Sequence, residues 1–451
     1  MKLKDMKNLV ICSTLNQITN YLIIKKINPE KILNITYDED IQKTCNKNMK
    51  NSAWDKYLTL ECNRDFPNIK FDNFTMKREE LYDIEAFRTR IKEKIKETFQ
   101  NEPIAWHITG GQRFIALAIY KIVEDRKKQG IVDKIIYVEG NEEKLMVFKE
   151  SKLDEEKSLE YYDDNLRIDK ILKLAGFSFD ENINCNSSLV RVNGNLQLEK
   201  GDQKEFEKEN KFYTKLYEFM TSEQGKDIKF EFKSEYNLNN NSKKTHFEDS
   251  FRDLLIISNS VKNSIRKNED NKHKERERYK FLIEVYTMLT ERFPKVFNEL
   301  EYDFINSKEL SMHYPAGYIF EKLVFHKVYN EVKYNKKIIQ IVTSLKAKSK
   351  INNERNCIID ELDIALLTNT GKIVNIECKS GDMSGDNAKS TKYTTYSLSG
   401  VFGTPILASP LYGDEDKNSN LKYSFSAKGA AERAQLNILF FDSLDKIKDY
   451  I

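Results

Sequence analysis

The stretch that most constrains this chain is residues 356–379, where two runs of alternating apolar and polar residues flank a tight turn. The turn, Asn369-Thr370-Gly371, suits a three-residue hairpin loop, because glycine adopts the left-handed conformation at the last position without steric cost. This loop fixes the register of the two strands and places Asp363 directly opposite Glu377. Opposed residues have Cβ atoms roughly 4.5 to 5.5 Å apart, so the pattern predicts two carboxylates side by side.

Strand side chains alternate between two faces, and this alternation predicts that the charged residues share a face. Asp363 is expected on one face of the first strand, opposite Leu362, Ile364 and Leu366. Glu377 and Lys379 are expected together, opposite Val374, Ile376 and Cys378. The charged face also carries apolar residues, which indicate that it is partly covered: Ile359, Ala365, Leu367 and Ile373. A hairpin with one solvated charged face is the structural alternative.

Like charges opposed across a ladder destabilise it unless a cation lies between them, so Asp363 and Glu377 predict a site for Mg²⁺ or Mn²⁺. The ammonium group of Lys379 could orient or deprotonate an attacking water and stabilise charge on a phosphoryl group. A helix upstream adds Glu321, at the edge of an apolar stripe formed by Gly317, Phe320, Val324 and Val328. A carboxylate at a buried edge requires a partner, which is either this site or a neighbouring lysine at the rim.

Together, these four charged residues resemble the core of the PD-(D/E)XK nucleases: Glu321, Asp363, Glu377 and Lys379. In that core a glutamate on a helix precedes an aspartate on one strand and a Glu-x-Lys element on the next strand. Here the last element reads Glu377-Cys378-Lys379. The resemblance implies a restriction-endonuclease-like domain over residues 308–451 and a metal-dependent endonuclease in which Asp363 and Glu377 bind the metal.

Strand and helix patterns alternate through the first third of the chain, which indicates a parallel sheet covered on both faces, as in a Rossmann-like domain. Strands are predicted at Leu9–Cys12, Lys31–Thr36, Ile69–Phe74, Ile104–Thr109 and Lys134–Glu139, and helices at Gln17–Lys26, Ile84–Phe99 and Gln112–Lys128. Ligands bind such sheets at the carboxyl ends of strands, where helix N-termini present free N–H groups to anions. Two strand ends are candidate phosphate sites, although turns without a ligand fit the same pattern: Ser13 and Thr14, and Thr109, Gly110, Gly111 and Gln112.

With these two loops, residues 1–150 resemble the CARF domain of CRISPR-associated proteins. A CARF domain followed by a PD-(D/E)XK domain is the order found in the ancillary nucleases of type III CRISPR systems. The resemblance implies a homodimer that binds a cyclic oligoadenylate, most often cyclic tetra-adenylate, and then cuts nucleic acid in antiviral defence. It leaves the substrate open between RNA, single-stranded DNA and duplex DNA.

Residues 151–307 are predicted to form an α-rich connector between the two domains, with a winged-helix module as the alternative. The expected elements are a helix at Leu166–Leu174, a hairpin with an Asn193-Gly194 turn at Leu189–Leu198, and a helix at Lys204–Met220. Arg266 and His273 match the loose R-x(4-6)-H pattern of HEPN ribonucleases. The charged residues between them indicate a surface loop and argue against a catalytic role.

The charge balance limits the ways in which the chain can bind nucleic acid. With 74 Lys and Arg against 71 Asp and Glu, the net charge of +3 excludes a strongly basic coat, so any basic surface must be local. Two candidates are a stripe of Lys346, Lys348 and Lys350, and a cluster of Lys389, Lys392, Tyr393 and Tyr396. Lysines contact phosphates and tyrosines stack on unpaired bases, but lysines also protect solvated edge strands.

The cysteines and the apolar runs predict a cytoplasmic protein without a membrane partner. The 6 cysteines contain no C-x-x-C pair, which argues against a disulfide framework and a zinc ribbon, and no apolar run reaches membrane-spanning length. Two rivals to a signal-activated nuclease remain. One is a non-catalytic nucleotide sensor that binds nucleic acid or a partner, and the other is a DNA-repair nuclease that needs no activator.

Overall fold

The computed structural model describes most of the chain outside one long central segment. The described residues are 2–14, 17–38, 54–111, 113–140, 143–149, 152–153, 161–179, 187–222, 315–349, 358–379, 383–399, 403–411 and 422–451. They form two β-sheets with helices packed on them, which confirms the predicted α/β class.

The N-terminal sheet contains seven of the described strands: β1 (Asn8–Cys12), β2 (Lys31–Tyr37), β3 (Lys70–Met76), β4 (Ile104–His107), β5 (Lys134–Glu139), β6 (Lys144–Lys149) and β7 (Lys152–Leu153). Their order is β3-β2-β1-β4-β5-β6-β7, parallel as far as β5 and antiparallel beyond it. The accompanying helices are α1 (Ile18–Ile27), α2 (Trp54–Asp65), α3 (Ile84–Phe99) and α4 (Arg113–Lys128). The predicted alternation of strands and helices is confirmed, with α2 as an additional helix.

The central strand β1 shows why this sheet is covered on both faces. Its five residues are all buried, and its side chains divide between two apolar clusters. Val10 and Cys12 pack with residues of α3 and α4, while Leu9 and Ile11 pack with residues of α1. A continuous apolar run of this kind is typical of a parallel strand enclosed between two layers of helices.

The C-terminal sheet contains eight of the described strands: β8 (Phe177–Phe179), β9 (Ser187–Val192), β10 (Asn195–Leu198), β11 (Ile338–Ser349), β12 (Ile358–Thr368), β13 (Ile373–Cys378), β14 (Thr404–Ser409) and β15 (Asn437–Phe440). The order is β10-β9-β11-β12-β13-β14-β15, with β8 also paired to β11. The helices of this part are α5 (Ile168–Leu174), α6 (Gln203–Thr221), α7 (Pro315–Val332), α8 (Gly385–Ser399) and α9 (Lys422–Ala434), followed by a 3₁₀ segment at Phe441–Tyr450.

The described part of the predicted connector joins the C-terminal sheet. The expected hairpin is present as β9 and β10, with left-handed Asn193 and Gly194 in its turn, and β9 pairs with β11. Helix α6 is present where the sequence pattern predicted a helix, and it packs against α7. The pairing of β9 with β11 links residues far apart in the chain, which a local pattern does not reveal. Arg266 and His273 lie outside the described residues, and the boundaries at 150 and 307 stay a prediction.

One apolar cluster joins the two sheets. It contains Ile11 and Ile18 from the N-terminal part and Val342, Ala365 and Leu367 from the C-terminal part, all buried. The predicted partial cover over one face of the hairpin β12–β13 is therefore the N-terminal domain itself. Among the helices that the structure describes, none is both long enough and apolar enough to span a membrane.

Candidate active site and activator loops

The register predicted for the β12–β13 hairpin is confirmed. The Thr368 N–H donates to the Lys372 carbonyl at 3.0 Å, and the pairing continues to Ile364 opposite Ile376. Asp363 and Glu377 are the next positions on each strand. There the Cys378 N–H donates to Oδ2 of Asp363 at 2.7 Å, so the Asp363 carboxylate is fixed against the end of β13.

The predicted distribution of side chains between the two faces is correct for β13 and wrong at one end of β12. Ile364 and Leu366 share one apolar cluster, as expected. Leu362, which was expected beside them, lies instead in the cluster of Ala365 and Leu367 on the opposite face. The alternation of side chains between the two faces therefore breaks at Asp363. Regular alternation consequently does not give the face of the Asp363 side chain.

Glu377 and Lys379 form an ion pair at the carboxyl end of β13. Lys379 Nζ lies 2.5 Å from Glu377 Oε1, and Glu377 is only 8% exposed. Oε2 of Glu377 lies 3.4 Å from the Thr391 hydroxyl on α8, a contact that the sequence did not signal. Burial lowers the pKa of Lys379, but the carboxylates of Asp363 and Glu377 outweigh it and leave the pKa above its usual range. Lys379 is therefore a permanent cation near neutral pH.

Glu321 lies on α7 next to this pair. The neighbouring α7 residues Phe320 and Val324 are fully buried and anchor the helix on the sheet. Burial, and secondly the charge of Asp363, raise the pKa of Glu321 to about 9, although Lys379 opposes this shift. The structure thus brings all four predicted residues into electrostatic contact.

The raised pKa of Glu321 predicts that the metal-free protein loses stability as the pH rises. Between the ordinary value of 4.5 and the folded value of about 9, the folded state keeps a proton that the unfolded state releases. The free energy of unfolding should therefore fall across this range, and Glu321→Gln, which cannot ionise, should flatten the fall. Urea titrations in EDTA at several pH values measure this, and identical pH profiles for the two proteins would contradict it.

The donor set fits a hard divalent cation in its chemistry. Asp363 and Glu377 offer carboxylate oxygens, the ligands that Mg²⁺ and Mn²⁺ prefer. The pKa of Glu321 is raised first by burial and secondly by the charge of Asp363, and a cation would offset the second cause. Within the described ranges, however, no three acidic, histidine or cysteine side chains converge as a preformed metal cluster. In this conformation the Lys379 ammonium lies against Glu377, so metal binding requires that this ion pair rearrange.

The two predicted activator loops lie against each other at the carboxyl end of the N-terminal sheet. A Cβ placed on Gly110 would lie 2.8 Å from the Cys12 carbonyl oxygen and 3.1 Å from Cβ of Thr14. Gly111 has a φ of +86°, which favours glycine, and a Cβ there would lie 3.0 Å from Cβ of Cys12. Only glycine therefore allows this close approach of the loops. Gln112 lies outside the described residues.

The hydroxyl groups of Ser13 and Thr109 form hydrogen bonds within the protein. Ser13 is 2% exposed and its hydroxyl donates to Oδ2 of Asp55 at 2.9 Å. Thr109 Oγ1 accepts the Val138 N–H at 2.6 Å, which leaves its own proton available to a ligand. Of the two residues after β1, Thr14 is the more exposed, whereas the buried Ser13 stabilises the loop through its bond to Asp55.

A polar network behind the loops was missed by the sequence analysis. Asp55, at the start of α2, also accepts a hydrogen bond from Asn34 at 2.8 Å. Asn20 on α1 bonds to the Cys12 carbonyl at 3.0 Å and to Nδ1 of His107 at 2.8 Å. The helical spacing of Trp54, Leu58 and Cys62 is the sequence signal that could have revealed α2 and hence Asp55.

The two basic candidates differ in their surroundings. Lys346 Nζ lies 3.5 Å from the carboxylate of Glu361, which partly neutralises that stripe. On α8, Tyr393 is 55% exposed and Tyr396 is 39% exposed, with Lys392 Nζ 5.8 Å from the centre of the Tyr396 ring. The exposed face of α8 thus keeps the combination of aromatic and basic groups that was predicted.

Solved structures resemble this chain over its whole length, whereas no family model and no curated protein sequence matches it. Protein VC1899 from Vibrio cholerae aligns with a TM-score of 0.59 and 15% identity, covering 98% of this chain and 96% of its own. Can2 from Sulfobacillus thermosulfidooxidans, solved with cyclic tetra-adenylate, aligns with a TM-score of 0.54 and 12% identity, covering 100% and 98%. A type III CRISPR defence DNA nuclease activated by cyclic oligoadenylate aligns at 0.43 and 10% identity, over 95% of this chain and 52% of its own. A TM-score of that size is too low to establish a shared fold.

These likenesses establish a shared fold. This chain shares the fold of VC1899 and of Can2, so the resemblance stated from the sequence is confirmed at the level of fold. The alignments with VC1899 and Can2 extend over nearly all of both chains, so the likeness in fold includes both sheets of this chain.

Proposed function

We propose that this chain is a metal-dependent endonuclease that a cyclic oligoadenylate switches on, with cyclic tetra-adenylate as the expected activator and type III CRISPR antiviral defence as its setting. The observation that carries the proposal is the ion pair of Lys379 with Glu377, with the Asp363 carboxylate fixed against the end of the same strand and Glu321 close enough to feel their charges. Such a cluster of perturbed groups at the end of two strands is typical of a catalytic site. The fold shared with Can2, which was solved with cyclic tetra-adenylate, supports the activator.

The roles of the four residues follow from their charges. Asp363 and Glu377 would hold Mg²⁺ or Mn²⁺, which polarises a phosphoryl oxygen and lowers the pKa of a bound water. Lys379 remains an ammonium group, so it orients the water or donates to a phosphoryl oxygen and does not act as the base. Glu321 completes the site directly or through water, and it gives up its proton when a nearby cation compensates its charge.

The activator is proposed to bind at the paired loops of the N-terminal sheet. The amides of Gly110 and Gly111 approach the end of β1 closely, and Thr14 and Thr109 add hydroxyl groups at the same edge. A cyclic oligoadenylate carries phosphates around its ring, so two copies of this edge related by a two-fold axis would present amides to opposite sides of it. The proposed active form is therefore a homodimer.

The test combines metal, substrate and activator in one matrix. The purified chain is incubated with Mn²⁺ or Mg²⁺, labelled RNA, single-stranded DNA or duplex DNA, and cyclic oligoadenylates of several ring sizes, with linear oligoadenylate as the control. We expect cleavage only when both metal and one ring size are present. Equal cleavage without any nucleotide would favour the repair nuclease, and tight nucleotide binding without cleavage of any substrate would favour the non-catalytic sensor.

A further inference from the structure

The two longest strands of the C-terminal sheet change faces at one shared position. In β11, Val342 and Leu345 belong to the same buried apolar cluster although they are three residues apart. In β12, Leu362 and Ala365 are also three residues apart and belong to that cluster as well. A regular strand places every second residue on one face, so each strand takes one additional step between these residues.

Ser344 and Asp363 lie at this step. The register passes from Thr343 opposite Ile364 to Leu345 opposite Leu362, so Ser344 and Asp363 lie between two neighbouring rungs. Ser344 has a φ of +52°, in the left-handed region that favours glycine and that other residues seldom adopt. It is 8% exposed and lies in the middle of β11, where no turn requires this conformation. The left-handed residue accounts for the change of face in β11, and β12, which pairs with β11 here, changes face at the same position.

The change of face decides where the carboxylate of Asp363 lies. Regular alternation would direct it to the face of Ala365 and Leu367, which is buried against the N-terminal domain. Instead its Oδ2 accepts the Cys378 N–H at 2.7 Å, and its charge acts on Glu321 of α7, whose apolar side packs on the opposite face. The step in the two strands thus separates the carboxylate from an apolar environment in which its charge would be costly.

We propose that Ser344 is a positioning residue of the candidate active site, whose left-handed backbone turns Asp363 toward the Cys378 amide and Glu321. Its importance for cleavage rests on the proposed nuclease function, whereas its structural role rests on the strand geometry alone. The property of position 344 on which this role depends is its tolerance of a positive φ. The effect of a substitution at position 344 should therefore depend on whether the new residue tolerates a positive φ, and not on whether it is polar.

The test compares variants that differ in this preference. Ser344→Val and Ser344→Thr introduce β-branched residues that resist a positive φ, and Ser344→Thr keeps the hydroxyl; Ser344→Gly removes the hydroxyl but accepts the conformation. Asn28→Val is the matched control, because Asn28 has the same φ of +52° but is exposed and follows α1. Hydrogen exchange of the Cys378 amide reports directly on its bond to Asp363, and cleavage rate and thermal unfolding are measured in parallel.

We expect faster exchange at Cys378 and cleavage reduced by roughly a hundredfold in Ser344→Val and Ser344→Thr, as for a misplaced reacting group. Ser344→Gly should keep most of both properties, and Asn28→Val should match the wild type. Wild-type exchange in folded Ser344→Thr overturns the proposal, and so does an equal loss in Ser344→Gly. If the wild type cleaves no substrate, the nuclease function fails, but exchange at Cys378 still decides the role of Ser344.

Discussion

Asp363→Asn and Glu377→Gln should each abolish cleavage while the affinity for the cyclic oligoadenylate stays unchanged. Each substitution removes an anionic oxygen that would hold the metal and leaves the size of the side chain almost the same. Metal stabilisation of the transition state is worth several kcal/mol, and about 1.4 kcal/mol is tenfold in rate, so losses of roughly a thousandfold or more are expected. Single-turnover cleavage at saturating activator and metal measures the loss, and calorimetry measures activator binding.

The two substitutions differ in what else they disturb. Asp363 accepts the Cys378 N–H through Oδ2, and the amide of an asparagine keeps one oxygen for that bond, so the hairpin should stay closed. Glu377→Gln removes the carboxylate that pairs with Lys379 at 2.5 Å, which leaves a buried ammonium without its nearest counter-charge. A modest loss of thermal stability is therefore expected for Glu377→Gln and not for Asp363→Asn.

Lys379→Ala separates metal binding from the chemical step. Removing the ammonium should slow cleavage strongly while metal binding is kept or strengthened, because Glu377 is then released from the ion pair. Titration with Mn²⁺ followed by its paramagnetic resonance signal distinguishes these effects. Cleavage at the wild-type rate by all three variants would show that the active site lies elsewhere in the chain.

The sequence predicted the local features of this hairpin well because turn chemistry acts locally. The three-residue loop Asn369–Gly371 determined the register, and the register placed Asp363 next to Glu377 on neighbouring strands. The left-handed Ser344 could not be predicted, since serine has no preference for that conformation. The predicted face of Asp363 was consequently wrong, although the predicted register of the two strands was correct.

Non-local pairing explains the other difference. The hairpin β9–β10 was predicted from its Asn193-Gly194 turn, but its attachment to β11 joins segments about 150 residues apart, as in the pairing of Gln340 with Val190. The loops of the N-terminal sheet were found because the carboxyl ends of parallel strands meet at one edge. Asp55, which supports Ser13 from a neighbouring helix, depends on packing that the alternation of strands does not record.

The structure suggests how occupation of the activator loops would reach the candidate active site. Helix α1 is the next helix in the chain after Ser13 and Thr14, and its first residue, Ile18, lies against Gly371 in the turn of the β12–β13 hairpin. A Cβ on Gly371 would lie 2.4 Å from Cγ1 of Ile18, so this contact leaves no free space. A shift of α1 therefore acts on the two strands that carry Asp363 and Glu377. Coupling of this kind changes the balance between inactive and active states and leaves the chemistry itself unaltered.

Gly111→Val should nearly abolish the response to the activator while the protein remains folded and its active-site residues remain intact. The φ of +86° is unfavourable for a β-branched residue, and a Cβ at this position already lies 3.0 Å from Cβ of Cys12. The loop must therefore move away from β1, and its amides lose the approach to phosphate that the wild type allows. A conformational cost of about 1 to 3 kcal/mol for such a residue is small enough to leave the domain folded.

Substitution of Thr109 should weaken the response to the activator by less than Gly111→Val does. Thr109→Ser is the matched control. Thr109→Ala removes a hydroxyl donor, but it also removes the acceptor of the Val138 N–H at 2.6 Å, a cost that the sequence alone did not show. Thr109→Ser keeps both functions, so a rightward shift of the activation curve in Thr109→Ala and not in Thr109→Ser assigns the effect to the hydroxyl. The rate at saturating activator should be equal in all three proteins, because the chemistry lies in the other sheet. Equal activation of wild type, Thr109→Ala and Gly111→Val at limiting nucleotide would mean that the activator binds elsewhere or does not exist.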